Sequence, residues 1–412
     1  MSLLGSDPAV VFDRRFPYEN RYLTCFVKLA LLLQRPDLFQ FIDGEQLLDP
    51  NYLGFGGHAP GPDYAPAYTP HVYLPRSDAG TWVRNLWEKF CCHIIQQRPG
   101  SALYAEKAPP WLPPIARQFL KCFTIYNLRD PRDVFISTNA FIKKRGLWGF
   151  GRSPADTDLD HARHLALAFL DSFENYYADR NRPDTLLVRY EDFVLDLSGV
   201  NKKVRTLTGA DPKCPQDYLD SHATAKDLEH SVNRWRSEPI PEEIVLFLEE
   251  NLHAEMTQLG YPLSLWDPKT PTRTISFVDG RIKLSCIDHS SHGAMEQNGD
   301  YAVAHISGPD FYLHLPIESF AAREVMEVWV CVTGNVGSFF SLYWRKRGDP
   351  YSEICRMDLA YSPSPQWTIL AFPVHTHPEW TDVITHLRLD LFNNFSSPHK
   401  GSGRIRWMRF VR

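Results

Sequence analysis

Apolar positions in the first 265 or so residues recur at helical spacing, give way to short unbroken apolar runs, and then return to helical spacing. The spacing predicts a helix over Tyr18 to Gln34. A second is predicted over Gly80 to Gln97, with Trp82, Leu86, Phe90 and His93 on one stripe, and a third over roughly Asp160 to Asp179. Cys122 to Leu128 and Thr185 to Val188 are apolar, bounded by polar residues and too short for helices, so they read as strands of a buried parallel sheet. Helices alternating with such strands are the grammar of an α/β domain.

The pattern changes after Asp267-Pro268-Lys269-Thr270-Pro271-Thr272, a polar, proline-containing bridge with little capacity for regular structure. Beyond it, Arg281–Ile287, Tyr301–Ile306, Val325–Val332, Phe339–Trp344, Trp367–Phe372, Leu387–Phe392 and Arg404–Val411 form short runs separated by Gly, Pro, Asn or Ser. That cadence predicts an antiparallel β-sandwich or jelly roll. The division expected is 1–265 for the α/β part and 266–412 for the sandwich. A chain of 412 residues exceeds what one core usually organises, which agrees with two domains.

Composition narrows the partners. A net charge of −5 creates no field that would draw the whole chain to nucleic acid or a membrane surface, so any basic site has to be local. The longest apolar run, Leu23 to Leu33, is interrupted by Lys28 and is about half the length of a membrane span. The opening Met1-Ser2-Leu3-Leu4-Gly5 lacks the basic start and apolar stretch of a signal peptide. The 8 cysteines are scattered and the one close pair, Cys91 and Cys92, is adjacent, so neither a metal knuckle nor a disulfide framework is expected. These features point to a cytoplasmic protein without a metal.

Candidate chemistry concentrates where the first predicted strand ends, in Leu128-Arg129-Asp130-Pro131-Arg132-Asp133-Val134. Asp130 is placed to cap a helix whose first position is Pro131, where the missing N–H costs nothing. Asp133, three residues on, is placed to reach back as in a capping box. Arg129 then projects from the C-terminal edge of the sheet, where ligands bind in open α/β folds. Ser137 lies four residues after Asp133 and returns to the same helix face. A guanidinium and a hydroxyl converging on one spot suit a phosphate, although an arginine paired with a carboxylate fits the spacing equally well.

The string from Arg129 to Val134, followed by Ser137, resembles the 3′-phosphate-binding motif of sulfotransferases that use 3′-phosphoadenosine-5′-phosphosulfate (PAPS). Three further stretches resemble that family in order: Glu106-Lys107-Ala108-Pro109, Val188-Arg189-Tyr190-Glu191-Asp192-Phe193 and Ser231-Val232-Asn233-Arg234-Trp235. The resemblance implies that Arg129 and Ser137 bind the 3′-phosphate and that Tyr190 lies against the adenine. It also implies that Lys107 offsets charge on the leaving phosphate, and that Ser231, Arg234 and Trp235 belong to a segment closing over the nucleotide. Asn233 stands where many relatives have glycine. The fold implied is a P-loop-like parallel sheet, and the acceptor a hydroxyl or amine of a glycan.

The family's Pro-Lys/Arg-Ser-Gly-Thr loop, which cradles the 5′-phosphosulfate, is not found. Gly54-Phe55-Gly56-Gly57-His58-Ala59-Pro60-Gly61 lacks its basic and hydroxyl residues. The α/β sheet is therefore expected to be N-terminally incomplete, with a late chain start as the simplest account and a degenerate relative as its rival. Asp13, Glu19, His58 and His71 are candidates for the acceptor base, and none is singled out by spacing. The ending, Leu387 to Phe392 and Gly403 to Phe410, resembles the last strands of jelly-roll carbohydrate-binding modules. Of Phe311, Tyr312, Trp329, Tyr343, Trp344, Trp367, Trp380 and Trp407, most are expected in the core and the rest on a sugar-stacking platform. A non-catalytic glycan-binding protein on a degenerate scaffold is the alternative function.

Overall fold

A computed structural model describes residues 7–11, 22–34, 76–110, 112–146, 148–149, 151–212, 229–267, 274–277, 288–308, 310–334, 337, 339–361, 364–393 and 401–412. These residues form two compact units, with Asp267 at the end of the first. The first is α/β with parallel strand pairs and the second an antiparallel β-sandwich.

In the first unit β1 (Val10–Val11) and α1 (Tyr22–Gln34) precede α2 (Arg76–Gln97), β2 (Leu103–Tyr104) and α3 (Leu112–Ala116). Then come β3 (Thr124–Leu128), α4 (Pro131–Arg145), α5 (Asp158–Asp179), β4 (Thr185–Arg189), α6 (Tyr190–Leu195), α7 (Leu197–Thr208) and α8 (Glu242–Gln258). β1 pairs with β2, and β3 with β4, both in parallel; the second pair runs in register from Thr124 opposite Thr185 to Leu128 opposite Arg189. A right-handed crossover needs a helix layer between such strands, and α4 and α5 are the helices that intervene. Thr124, Tyr126 and Leu128 are buried while Asn127 is exposed, so β3 alternates instead of being buried on both faces.

Helix α2 begins at Arg76, four residues ahead of the predicted start, and its predicted apolar stripe is displaced. Trp82 is 53% and Leu86 40% exposed, whereas Val83 is fully buried. The packed face keeps Phe90 of the predicted stripe and adds Trp87, both against Phe26 of α1 and Tyr104 of β2, with ring centroids 5.4 to 5.8 Å apart. The stripe was misplaced because large side chains occur all around this helix and only the partner decides which set is buried. Helix α5 begins two residues before its predicted start, since Thr157 and Asp160 form a full capping box there.

The second unit contains β5 (Thr274–Ser276), β6 (Asp288–His289), β7 (Gly293–Asn298), β8 (Tyr301–Ile306), β9 (Tyr312–Leu315) and β10 (Phe320–Ala321). They are followed by β11 (Glu327–Gly334), β12 (Phe339–Lys346), β13 (Arg356–Ala360), β14 (Ser364–Phe372), β15 (Val383–Asn393) and β16 (Gly401–Val411). One sheet has the order β13-β12-β15-β9-β6 with β10 beside β15; the other has β14-β11-β16-β8-β7 with β5 beside β16. Leu342, Trp344, Leu387 and Leu389 of the first sheet meet Val328, Val330, Ile405 and Met408 of the second in one apolar core. Phe311 and Trp380 are in that core too. Trp329 and Trp407 alternate with core-facing neighbours and are buried on the far side of their sheet, while Tyr312 and Tyr343 lie on the outer face of the other sheet.

Gly334 and Gly403 are cross-strand partners that leave room for the Phe392 ring. A Cβ on Gly403 would sit 2.0 Å from that ring, so these two positions are small because the core occupies the space. The run 281–287 and the linker from Pro268 to Thr272 lie outside the described residues.

Candidate functional site

The site grows from the junction of β3 and α4. Asp130 is the N-cap of α4, accepting from the backbone N–H of Arg132 at 3.0 Å, with Pro131 in the first turn as the sequence predicts. The capping box does not form. The backbone N–H of Asp130 donates instead to Glu191 Oε1 at 3.0 Å, and Tyr261 Oη donates to the other oxygen of Glu191 at 2.9 Å. Glu191 thereby ties the end of β4 to the start of α4 and displaces Asp133 from its expected partner.

Asp133 reaches across to the segment after residue 230. Its Oδ2 accepts from the N–H of Asn233 at 2.7 Å and its Oδ1 from the N–H of Trp235 at 3.1 Å. Asn233 adopts a left-handed conformation, φ 57°, which asparagine tolerates better than most residues and which turns both N–H groups toward one carboxylate. Burial raises the pKa of Asp133, to about 6, against the lowering influence of these donors.

Arg132, given no role by the sequence patterns, is wholly buried. It donates from Nε and Nη2 to the two oxygens of Asp130 at 3.0 and 2.6 Å, and from Nη1 to Glu249 of α8 at 2.5 Å. The Trp235 ring covers its guanidinium at 3.7 Å. Glu249 also accepts the backbone N–H groups of Ser264, Leu265 and Trp266. Although burial pushes its pKa up, those donors hold Glu249 below the usual carboxylate range. The sequence signal for this network was the second arginine two residues past a capping aspartate; its distant partner 117 residues away carried none.

Arg129 leaves the end of β3 beside Tyr190, its guanidinium carbon 4.4 Å from the ring centroid. Nη2 donates to the carbonyl of Ser231 at 2.5 Å, and the hydroxyls of Ser231 and Tyr190 are 3.0 Å apart. Arg129 Nε is buried with no hydrogen-bond partner. Three of the predicted residues, Arg129, Tyr190 and Ser231, are thus brought together, and the ring expected against adenine also carries the guanidinium. Ser137 is half-buried on α4, one turn beyond Asp133. Arg234 is buried and spends Nε and Nη2 on Glu238, at 2.7 and 3.0 Å. Trp235 lies on Arg132 with its own Nε1 buried and unpartnered.

Lys107 is exposed on the segment that follows β2. Its neighbour Glu106 is fixed by the first turn of α1, accepting from the N–H groups of Leu23 and Thr24 at 2.8 and 3.0 Å and from Thr24 Oγ1 at 2.6 Å. A carboxylate at a helix N-terminus is favoured by the dipole, so Glu106 anchors the loop that carries Lys107. Asp13, Glu19, His58, His71 and the Gly54–Gly61 cluster lie outside the described residues. Among the described residues no group of three or more His, Cys, Asp or Glu is placed to hold a metal ion, and no helix is long and apolar enough to cross a membrane.

No protein-family model matches the chain, and no curated protein matches it. Solved structures similar to it include a sulfotransferase domain from the curacin biosynthetic pathway, at 15% identity and a TM-score of 0.31 over 46% of this chain and 76% of that one. A low-affinity xylan-binding module, CBM86 from Roseburia intestinalis, is 15% identical with a TM-score of 0.22 over 30% of this chain and 92% of its own. A mutant family 29 carbohydrate-binding module in complex with cellulohexaose is 8% identical with a TM-score of 0.25, over 35% and 94%. Identities this low transfer no residue role.

Proposed function

We propose that this protein is a PAPS-dependent sulfotransferase: residues 1–265 bind the nucleotide and serve transfer of its sulfuryl group to a hydroxyl or amine, and residues 266–412 engage the glycan that bears it. The observation that carries the reading is Arg129. Its Nε is buried without a partner at the C-terminal rim of a parallel strand pair, beside the Tyr190 ring. An unpaired buried donor costs about 1–3 kcal/mol, and a phosphate oxygen relieves that cost.

In this reading Arg129 and Ser137 hold the 3′-phosphate and Tyr190 borders the adenine. Lys107, exposed on a loop braced by Glu106, offsets charge developing on the leaving phosphate. Arg234 and Trp235 shape the covering segment from below, through Glu238 and Arg132, with Ser231 joining that segment to Arg129. The bound nucleotide supplies the sulfuryl group; the chain's residues bind, orient and neutralise it. The described cysteines Cys25, Cys91, Cys92, Cys122, Cys331 and Cys355 are free thiols, which supports a reducing, cytoplasmic setting.

Titration calorimetry of the whole chain with adenosine 3′,5′-bisphosphate tests the anchor. Arg129→Ala is expected to weaken binding at least about tenfold, the loss of one charge-assisted contact. Equal affinity in wild type and variant removes the reading.

A further inference from the structure

The outer face of one sandwich sheet is built in a way the nucleotide site does not explain. Side chains alternate along β9, β15 and β12, so that Leu313, Leu389 and Leu342 enter the core and the intervening residues point away. On that outward row Tyr343 stands opposite Arg388, Arg388 opposite His314, and Asp390 opposite Tyr312. The Arg388 guanidinium lies 3.8 Å from the Tyr312 ring centroid and 4.9 Å from that of Tyr343. It donates to both oxygens of Asp390 at 2.6 and 2.7 Å and to Asp310 at 3.0 Å.

The next strand continues the arrangement. Arg356 of β13 is the cross-strand partner of Tyr343 and binds Glu353 at 2.6 Å, Asp358 at 2.7 Å and the Tyr343 hydroxyl at 3.2 Å. From the β12–β13 connection, Tyr351 meets His314 with its hydroxyl at 3.2 Å, and its ring lies 5.6 Å from the Arg345 guanidinium. Arg345 Nε is buried and has no hydrogen-bond partner.

The charges of this face decide what it fits. Arg345, Arg356 and Arg388 stand among Asp310, Glu353, Asp358 and Asp390, so the carboxylates outnumber the guanidiniums by one. Fixed donors and acceptors of both kinds, set between aromatic rings, complement a ligand that offers hydroxyls on its edges and C–H groups on its faces. Arg356 and Arg388 are already coupled to carboxylates, so an anion laid over these two would meet like charge, which is repulsive, and Arg345 is the one guanidinium of the three with no carboxylate partner among the described residues.

We infer that this face binds an uncharged oligosaccharide and discriminates against the sulfated form of the same chain. Resting on the glycan-directed sulfuryl transfer proposed above, this makes the sandwich a holder of acceptor that lets product go.

The test presents cellohexaose, xylohexaose and mannohexaose, each beside its chemically sulfated form, to the intact chain and measures affinity by calorimetry. At least one neutral chain is expected to bind, and its sulfated form about tenfold more weakly or worse. Tyr312→Ala and Tyr351→Ala are each expected to weaken the neutral interaction about tenfold. Tyr351 is on a connection outside the core, so its variant remains informative if Tyr312→Ala fails to fold. The pair Glu353→Gln with Asp358→Asn, both on exposed side chains, reverses the charge excess and should narrow the discrimination. Sulfated chains binding as tightly as neutral ones, or tyrosine variants binding like wild type, overturn the inference while glycan recognition stands. If no chain binds in either form, both the inference and the glycan part of the proposed function fall, and nucleotide affinity measured in parallel reports separately on the Arg129 site.

Discussion

The two units bury charge to different ends. In the α/β unit, buried ions reach between distant segments: Arg132 spans Asp130 and Glu249, Asp133 grips the turn at Asn233, and Arg117 joins Asp179 and the ends of β3 and β4 through Thr124 and Thr185. In the sandwich, one apolar core joins the sheets, and its ion pairs on the first sheet lie on the outward face among neighbouring strands. The contrast follows from architecture. A sandwich brings two continuous apolar faces together, whereas loops at the end of a parallel sheet have little apolar surface and are held by directional groups. The cost is exposure to single-atom failure, since an unpaired buried charge is far worse than a lost methyl group.

The contrast sets the order of expected effects. Arg132→Ala should be the most damaging, about 3–5 kcal/mol in chemical denaturation of the unit that carries it, because Asp130 and Glu249 are left buried without their counter-charge, held only by N–H and hydroxyl donors. A loss below about 1 kcal/mol would show that the ion network is dispensable and erase the difference between the units. Gly403→Ala probes the sandwich, where the added methyl must displace Phe392; overpacking costs about 1–3 kcal/mol, read as a lower denaturation midpoint with an unchanged slope.

Asp133→Asn is the subtlest, with a loss of about 1 kcal/mol as one of two N–H bonds goes. Its sign depends on pH. The folded pKa, about 6, lies above the ordinary 3.8, so protonation of Asp133 favours the folded state at low pH and that contribution disappears as pH rises through about 6. The stability advantage of wild type over Asp133→Asn should therefore shrink between acidic and neutral pH. A difference independent of pH would place the carboxylate in a less buried setting than the structure shows.

The strand ending at Leu128, the proline-led start of α4 and the projection of Arg129 were legible because each is a local rule: an apolar run, a capping residue and a ring that fixes φ. Six of the twelve described sandwich strands were legible for the same reason: Tyr301–Ile306 to the residue, Val325–Val332 shifted by two, and the other four short by two to four at one end. The strands β7, β9 and β13 escaped notice because their sequences, Gly293–Asn298 among them, mix polar and apolar residues in proportions that tertiary pairing alone makes into sheet. Helix α8 was missed because its buried face includes Glu249, Asn251 and Glu255, which read as solvent-facing until their partners are known.

What the sequence by itself determined, then, is the strand-to-helix junction from Leu128 to Pro131, the change of grammar near Asp267 and the placing of Arg129 at a strand end. Tertiary structure decided where carboxylates go. Asp133 could have closed its own helix cap, but Glu191 holds that N–H, and the Asp133 carboxylate binds the turn at Asn233 instead. Capping and pairing compete for the same few hydrogen-bonding directions, and the outcome depends on groups that are close in space and far apart along the chain, a distance that no local pattern encodes.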